Sequence, residues 1–159
     1  MQRFKAVPLT AEAFAPYGDV LAHKGEVKLQ PVPGAFDRTD DAPVPVLSLL
    51  RIDTAHALPV VIDRLERHPF SAQSFLPTEG GRCLIVVCDT AADGSPDIAS
   101  TKAFISETRE GITYKRNVWH RSVTALEAPS QFAVVMAQTG DGRDNLFFDL
   151  VAPIEIVEG

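Results

Sequence analysis

Two short segments hold most of the side chains able to do chemistry. In LERHPFSAQSFLP, Glu66 and His68 stand two residues apart, so on an extended chain they project to the same face. Gln73 follows past Pro69, and a turn between two strands sets it beside His68. In GITYKRNVWH, Tyr114, Lys115, Arg116, Asn117, Trp119 and His120 place six functional side chains in seven positions, denser than a core strand needs. An unbroken strand would put Tyr114, Arg116, Val118 and His120 on one face and Lys115, Asn117 and Trp119 on the other. An irregular turn at Asn117 would break that parity.

Glu66, His68, Gln73 and His120 together form a donor set for a divalent ion such as zinc, nickel, manganese or iron. The same four groups also suit the hydrogen-bonded lining of a metal-free pocket, and both readings stand. Either histidine can act as a general acid or base, because imidazole titrates near neutrality. Arg82 follows TEGG and precedes an apolar run. It is placed either to clamp a carboxylate bidentately at a barrel mouth or to sit solvated in a turn. Trp119, the only tryptophan, is either a pocket wall or core. His23 and His56 have no polar constellation around them and read as exposed loop residues. There is no P-loop, no GxGxxG after a strand and no GxSxG elbow, so nucleotide chemistry and a serine nucleophile both recede.

The elements that must position these residues are strands. VLSLLRI (46–52), SFLP (74–77), CLIVVCD (83–89), FAVVMAQ (132–138) and LFFDLVAPIEIV (146–157) are short and rich in β-branched or aromatic residues. Turn signals separate them at 78–81, 92–96, 109–111 and 139–145, a spacing that points to a sandwich or barrel. Thr10 caps a short helix through AEAFA, and a second short helix is expected after Asp97 over IASTK. The Pro-rich stretch 23–45 is either a lid or a connection with unresolved strands. Cys83 and Cys88 lie five apart in CLIVVC, on opposite faces of a strand and out of disulfide reach. They read as inert core thiols.

The chain has 159 residues, 45% of them hydrophobic and 23% charged, which fits one globular domain over 1–159. A net charge of −6 with dispersed basic residues argues against a nucleic-acid partner. No apolar run approaches the roughly 20 residues that span a bilayer. The opening MQRFKAVPLTAEAF lacks an apolar signal core, so a cytoplasmic location is expected.

ERHPFSAQSFLP (66–77), AFIS (103–106), GITYKRNVWH (111–120) and PLTAEAFAPYGDVL (8–21) resemble segments of the ureidoglycolate lyase family. The resemblance runs across nearly the whole chain. It implies an all-β, cupin-like double-stranded β-helix barrel, a homodimer, and cleavage of ureidoglycolate to glyoxylate and urea in allantoin and purine breakdown. The family's glutamate, histidine and glutamine fall on Glu66, His68 and Gln73, and its tyrosine, asparagine, tryptophan and histidine on Tyr114, Asn117, Trp119 and His120. The wider cupin pattern has His and Glu where Glu66 and Gln73 stand. AQTGDGRDNLFF (137–148) and PVPGAFDR (31–38) depart from the family pattern, and both bear on the substrate.

For that reaction His120 or His68 is the expected base, tuned by Glu66. Lys115 or Arg82 would hold the carboxylate, while Gln73 and Tyr114 would bond the ureido group. A bound metal would lower the hydroxyl pKa. Two other functions compete: another cupin-type enzyme acting on a small hydroxy or keto acid, and a non-catalytic small-molecule binder. The long C-terminal strand is a candidate exchange or edge element for dimerisation.

Overall fold

A computed structural model covers all 159 residues. Twelve strands follow one another: β1 (Arg3–Pro8), β2 (Gly18–Leu21), β3 (Val44–Ile52), β4 (Val60–Arg67), β5 (Gln73–Glu79), β6 (Cys83–Thr90), β7 (Pro96–Ile105), β8 (Gly111–Tyr114), β9 (Trp119–His120), β10 (Thr124–Ala125), β11 (Ser130–Gln138) and β12 (Leu146–Glu158). All five strands expected from composition are present. Helix is confined to α1 (Ala11–Phe14) and a single 3-10 turn, Pro33–Phe36. Thr10 caps α1 as expected, its hydroxyl oxygen accepting from the Ala13 amide at 3.2 Å.

Strands β6, β7, β1, β12, β4 and β9 pair in that order, and β9 pairs back onto β6. The ring is therefore a closed barrel, which leaves none of its six strands as a free edge. β10 continues along β6 beyond β9, Thr124 opposite Leu84. The remaining strands form an antiparallel sheet in the order β2-β8-β5-β11-β3. The architecture is thus all-β with a closed barrel, the cupin-like class expected from the sequence.

β6 shows how the layers are built. Its residues Cys83 to Cys88 are all buried, because each face of the strand meets its own core. Leu84, Val86 and Cys88 pack with Ile62, Leu65, Trp119, Ile154 and Ile156 inside the barrel. Cys83, Ile85 and Val87 pack with Phe75, Ile112, Tyr114 and Phe132 of the second sheet. The two cysteines are free and lie on opposite faces, as their spacing requires.

Two expectations change and one open alternative is decided. The IASTK stretch is not a helix but part of β7, with Lys102 opposite Val87 and the flanking Asp97 opposite Asp89. The capping signal at Asp97 is genuine local chemistry: its carboxylate accepts from the Ala99 amide at 3.2 Å. There it shapes an irregularity in a strand that β6 holds at both ends of the stretch and β1 joins from Ala103 onward. β12 is no edge. It lies between β1, in parallel register (Arg3 opposite Glu155), and β4. The 23–45 stretch is a connection, not a lid. After the 3-10 turn it hydrogen-bonds to the chain ahead of β5, through Thr39 N to Phe70 O and Ala72 N to Asp37 O.

Candidate functional site

Trp119 and His120 form a two-residue strand and so face opposite ways. Trp119 points into the barrel with its register partner Cys88. His120 points outward with Val87, toward the second sheet. Glu66 pairs directly with His120 across β4 and β9 and shares that outward face. His68 lies one residue past the end of β4. The candidate ligand atoms of Glu66, His68 and His120 all lie within 4.8 Å of one another. The centre therefore sits on the outer wall of the barrel, beneath the second sheet, and not in the barrel interior.

The second sheet supplies the remaining walls. Gln73 opens β5 and Tyr114 closes β8, in register with each other. Gly18 in β2 pairs with Tyr114, and a Cβ there would stand 1.7 Å from the Thr113 carbonyl oxygen. Only glycine lets β2 pack this closely behind the tyrosine. The Tyr114 ring stacks on His120 at 4.0 Å between centroids, tilted by only 18°. The chain between them turns back at Asn117, whose φ is +65°. The Asn117 amide donates to the His68 carbonyl, tying the two functional segments together.

The histidine nitrogens have defined roles. His120 Nδ1 lies 2.9 Å from the Val118 carbonyl oxygen. A carbonyl only accepts, so Nδ1 carries the proton and Nε2 keeps a lone pair. That Nε2 has no hydrogen-bond partner and stands 3.7 Å from Glu66 Oε1. Burial, then the neighbouring His68, pushes His120 down to about 3, against a smaller upward effect of the Val118 carbonyl. His120 is therefore neutral. His68 Nδ1 lies 3.2 Å from the Asp144 carbonyl oxygen, and its Nε2 lies 3.1 Å from Gln73 Oε1. An imidazolium donates to both. A neutral ring satisfies both only if the Gln73 amide turns over to present its nitrogen.

The centre is nearly dry. His68, Gln73, Tyr114 and His120 are all buried. The Tyr114 hydroxyl has no partner. Burial first, then Cys83 and Glu66, pushes its phenol well above the usual tyrosine range. Two unpartnered buried polar atoms, His120 Nε2 and Tyr114 Oη, are costly unless something else binds them.

Other expected site residues lie elsewhere. Arg82 forms a two-point ion pair with Glu107, at 2.8 and 2.9 Å. Lys115 Nζ donates to the carbonyl oxygens of Ala15 and Pro16, at 2.6 and 3.3 Å. Trp119 is barrel core, its indole N–H donating to Gly94 O at 3.3 Å. Asn117 contributes its backbone turn. His23 and His56 are exposed in loops. Sequence reasoning missed the Val118 and Asp144 carbonyls, which orient the two imidazoles. A backbone oxygen leaves no signature in residue types. It also missed Met136, whose sulfur accepts from Gln73 Nε2 at 3.6 Å.

A closed β-barrel flanked by a buried centre of two imidazoles and a carboxylate defines a cupin-like protein equipped for acid–base or metal-assisted chemistry. The sequence pattern of the ureidoglycolate lyase family matches residues 1–155. The chain is 38% identical over 153 residues to the ureidoglycolate lyase of Mesorhizobium japonicum, covering 91% of each protein. It is 35% identical to that of Pseudomonas syringae pv. syringae, covering 91% of this chain and 88% of the relative. It is 37% identical to that of Brucella melitensis biotype 2, covering 89% and 87%. The chain belongs to the ureidoglycolate lyase family.

Proposed function

We propose that this protein cleaves ureidoglycolate to glyoxylate and urea. The observation that carries the reading is the opposed pair of imidazoles, in a chain that belongs to this family. One is held neutral with a free lone pair; the other is bonded at both nitrogens. Ureidoglycolate is a hemiaminal, with a hydroxyl and a ureido nitrogen on one carbon. Its lysis removes the hydroxyl proton, forms the carbonyl, breaks the C–N bond and returns a proton to the departing nitrogen. No water and no redox partner is consumed.

The residues match these needs. His120 Nε2 accepts the hydroxyl proton, and Glu66 is near enough to hold the resulting imidazolium. His68, bonded to Asp144 O and Gln73, returns the proton to the departing urea nitrogen. Gln73 and the unpartnered Tyr114 hydroxyl bond the ureido group. The dry surroundings strengthen each of these interactions.

The same centre fits a divalent cation. Two imidazoles and a carboxylate suit such an ion, and backbone carbonyls already fix the ring orientation, as second-shell partners of metal-bound histidines do. The free His120 Nε2 facing Glu66 supports this fit. Glu66, His68 and His120 would hold the ion, His68 through Nε2 in place of its bond to Gln73. A cation there would supply Lewis acidity to the hydroxyl.

The protein acts in the cytoplasm, in allantoin and purine breakdown, as a homodimer. No helix is long and apolar enough to cross a membrane. Support for the dimer is the outer face of β3, β11 and β5, where Leu47 and Leu49 are 68% and 69% exposed. Their register partners Val135 and Ala133, with Leu76 beyond, make the patch contiguous.

The test is turnover of ureidoglycolate by purified protein, following glyoxylate and urea together, before and after chelation. Equal amounts of the two products establish the lyase, and loss on chelation assigns the triad to a metal. Ammonia in place of urea indicates an amidohydrolase instead. No product with any divalent metal rejects the reading.

A further inference from the structure

Glu66 is the member of the triad that reaches solvent. Its side chain is 17% exposed, against 1% for His120. It does so in a small groove of about 210 Å³, lined by Arg64, Leu65, Glu66, Arg121, Ser122 and Phe147. The groove begins where β4–β9 pairing stops at Glu66 and His120. Beyond that pair, residues 64–65 on one side and 121–122 on the other form its walls. Larger cavities elsewhere touch none of the triad. The groove is below the about 300–1,000 Å³ of pockets that take drug-sized ligands, so it suits a compact substrate.

A substrate carboxylate entering this groove would meet the negative charge of Glu66 and needs a cation to offset it. Arg82 and Lys115 are committed elsewhere, as described above. Arg64 is bound to Asp149 at 2.5 Å with its guanidinium over the Phe147 ring. Arg121 differs from all three. Its backbone amide is anchored on the Val86 carbonyl at 2.9 Å. Its side chain makes no ion pair, and its buried Nε has no hydrogen-bond partner. A guanidinium with an unused buried donor, next in the chain to His120, is matched to the paired oxygens of a carboxylate.

We infer that Arg121 holds the carboxylate of the substrate in the groove beside Glu66 and gives the enzyme its preference for an acid hemiaminal. This rests on the lyase reading above. It assigns the hydroxyl end of the substrate to the triad and the carboxylate end to the groove wall. Arg121 is thus a specificity residue, and its loss should weaken binding of one substrate class while leaving the chemical step in place.

The experiment compares wild type, R121Q and R121K on ureidoglycolate and on hydroxymethylurea. The latter is the same hemiaminal with hydrogen in place of the carboxylate, cleaving to formaldehyde and urea. R121Q should raise KM for ureidoglycolate about 10- to 100-fold, the range for a lost charge-assisted hydrogen bond. It should leave kcat/KM for hydroxymethylurea within about twofold, and R121K should recover part of the loss. Competitive inhibition by glyoxylate gives the same readout without turnover and should weaken in parallel. Equal losses on both substrates would make Arg121 structural and overturn the inference. Unchanged KM and unchanged glyoxylate inhibition would overturn it as well. Wild-type protein that does not cleave ureidoglycolate would instead reject the lyase reading, and the inference with it.

Discussion

Trp119 and His120 are neighbours in one short strand, yet they belong to different regions of the molecule. The barrel interior, where Trp119 lies, is closed by pairing on every strand and filled by aliphatic side chains. The layer between barrel and second sheet, where His120 lies, is just as buried but holds His68, Gln73 and Tyr114 as well. One region is a sealed core whose work is stability. The other combines the same dryness with unpartnered polar atoms, a combination that costs stability and is useful only for binding or chemistry. Strand alternation separates the two roles by a single residue.

Substitutions on the two faces should therefore fail in different ways. H120Q and H68Q should each lower kcat/KM for ureidoglycolate by about 10²- to 10⁴-fold, the usual worth of a positioned acid or base, with little change in thermal midpoint. Full turnover in both variants would remove the assignment. Trp119→Ala should cost about 3–5 kcal/mol of stability by denaturant unfolding, as for other large buried aromatics. The milder Trp119→Phe should leave KM for ureidoglycolate unchanged, and a raised KM would place the indole in the substrate pocket after all.

The two thiols sample one region each. Burial pushes Cys83 and Cys88 alike up to about 12, with nearby carboxylates adding to the effect. Their folded values lie above the ordinary 9.0. Their stabilising contribution is thus whole below about pH 9 and lost as pH rises toward 12. Native protein at pH 8 should resist a thiol-reactive disulfide, and denaturant should expose both groups together. Rapid reaction of Cys83 alone would show that the layer beneath the second sheet opens while the barrel stays closed.

The smallest expected effect is the sharpest. Tyr114→Phe removes an unpartnered hydroxyl, so stability should hold or rise by up to about 1 kcal/mol. KM for ureidoglycolate should rise at the same time. A fall in stability without a change in KM would mean that the hydroxyl has a structural partner in solution.

Much of the site was legible in residue types. ERHP with a glutamine five residues past the histidine, and a tyrosine six residues ahead of His120, are the groups that meet beneath the second sheet. Residue type could not place Arg82 and Lys115, because a cation in a turn looks the same in sequence whether it faces a substrate, Glu107 or the carbonyls that follow α1. Arg121 drew no notice, since one more arginine after NVWH has no pattern of its own. The helix expected over IASTK failed for a related reason. Asp97 makes the local bond that a cap makes, and pairing partners far along the chain decided the backbone.

By itself, then, the amino-acid order determined an all-β chain, the alternation that buries CLIVVC on both faces, and the two segments that hold the chemistry. These follow from side-chain size, polarity and a period of two, which are local properties. Barrel closure through β9 and β6, the stacking of Tyr114 on His120 and the orientation of two imidazoles by backbone carbonyls were settled only in three dimensions. So was the groove that leaves Arg121 unpaired. Each depends on which distant strands pair and on where backbone oxygens point, and neither is written in the identity of any one residue.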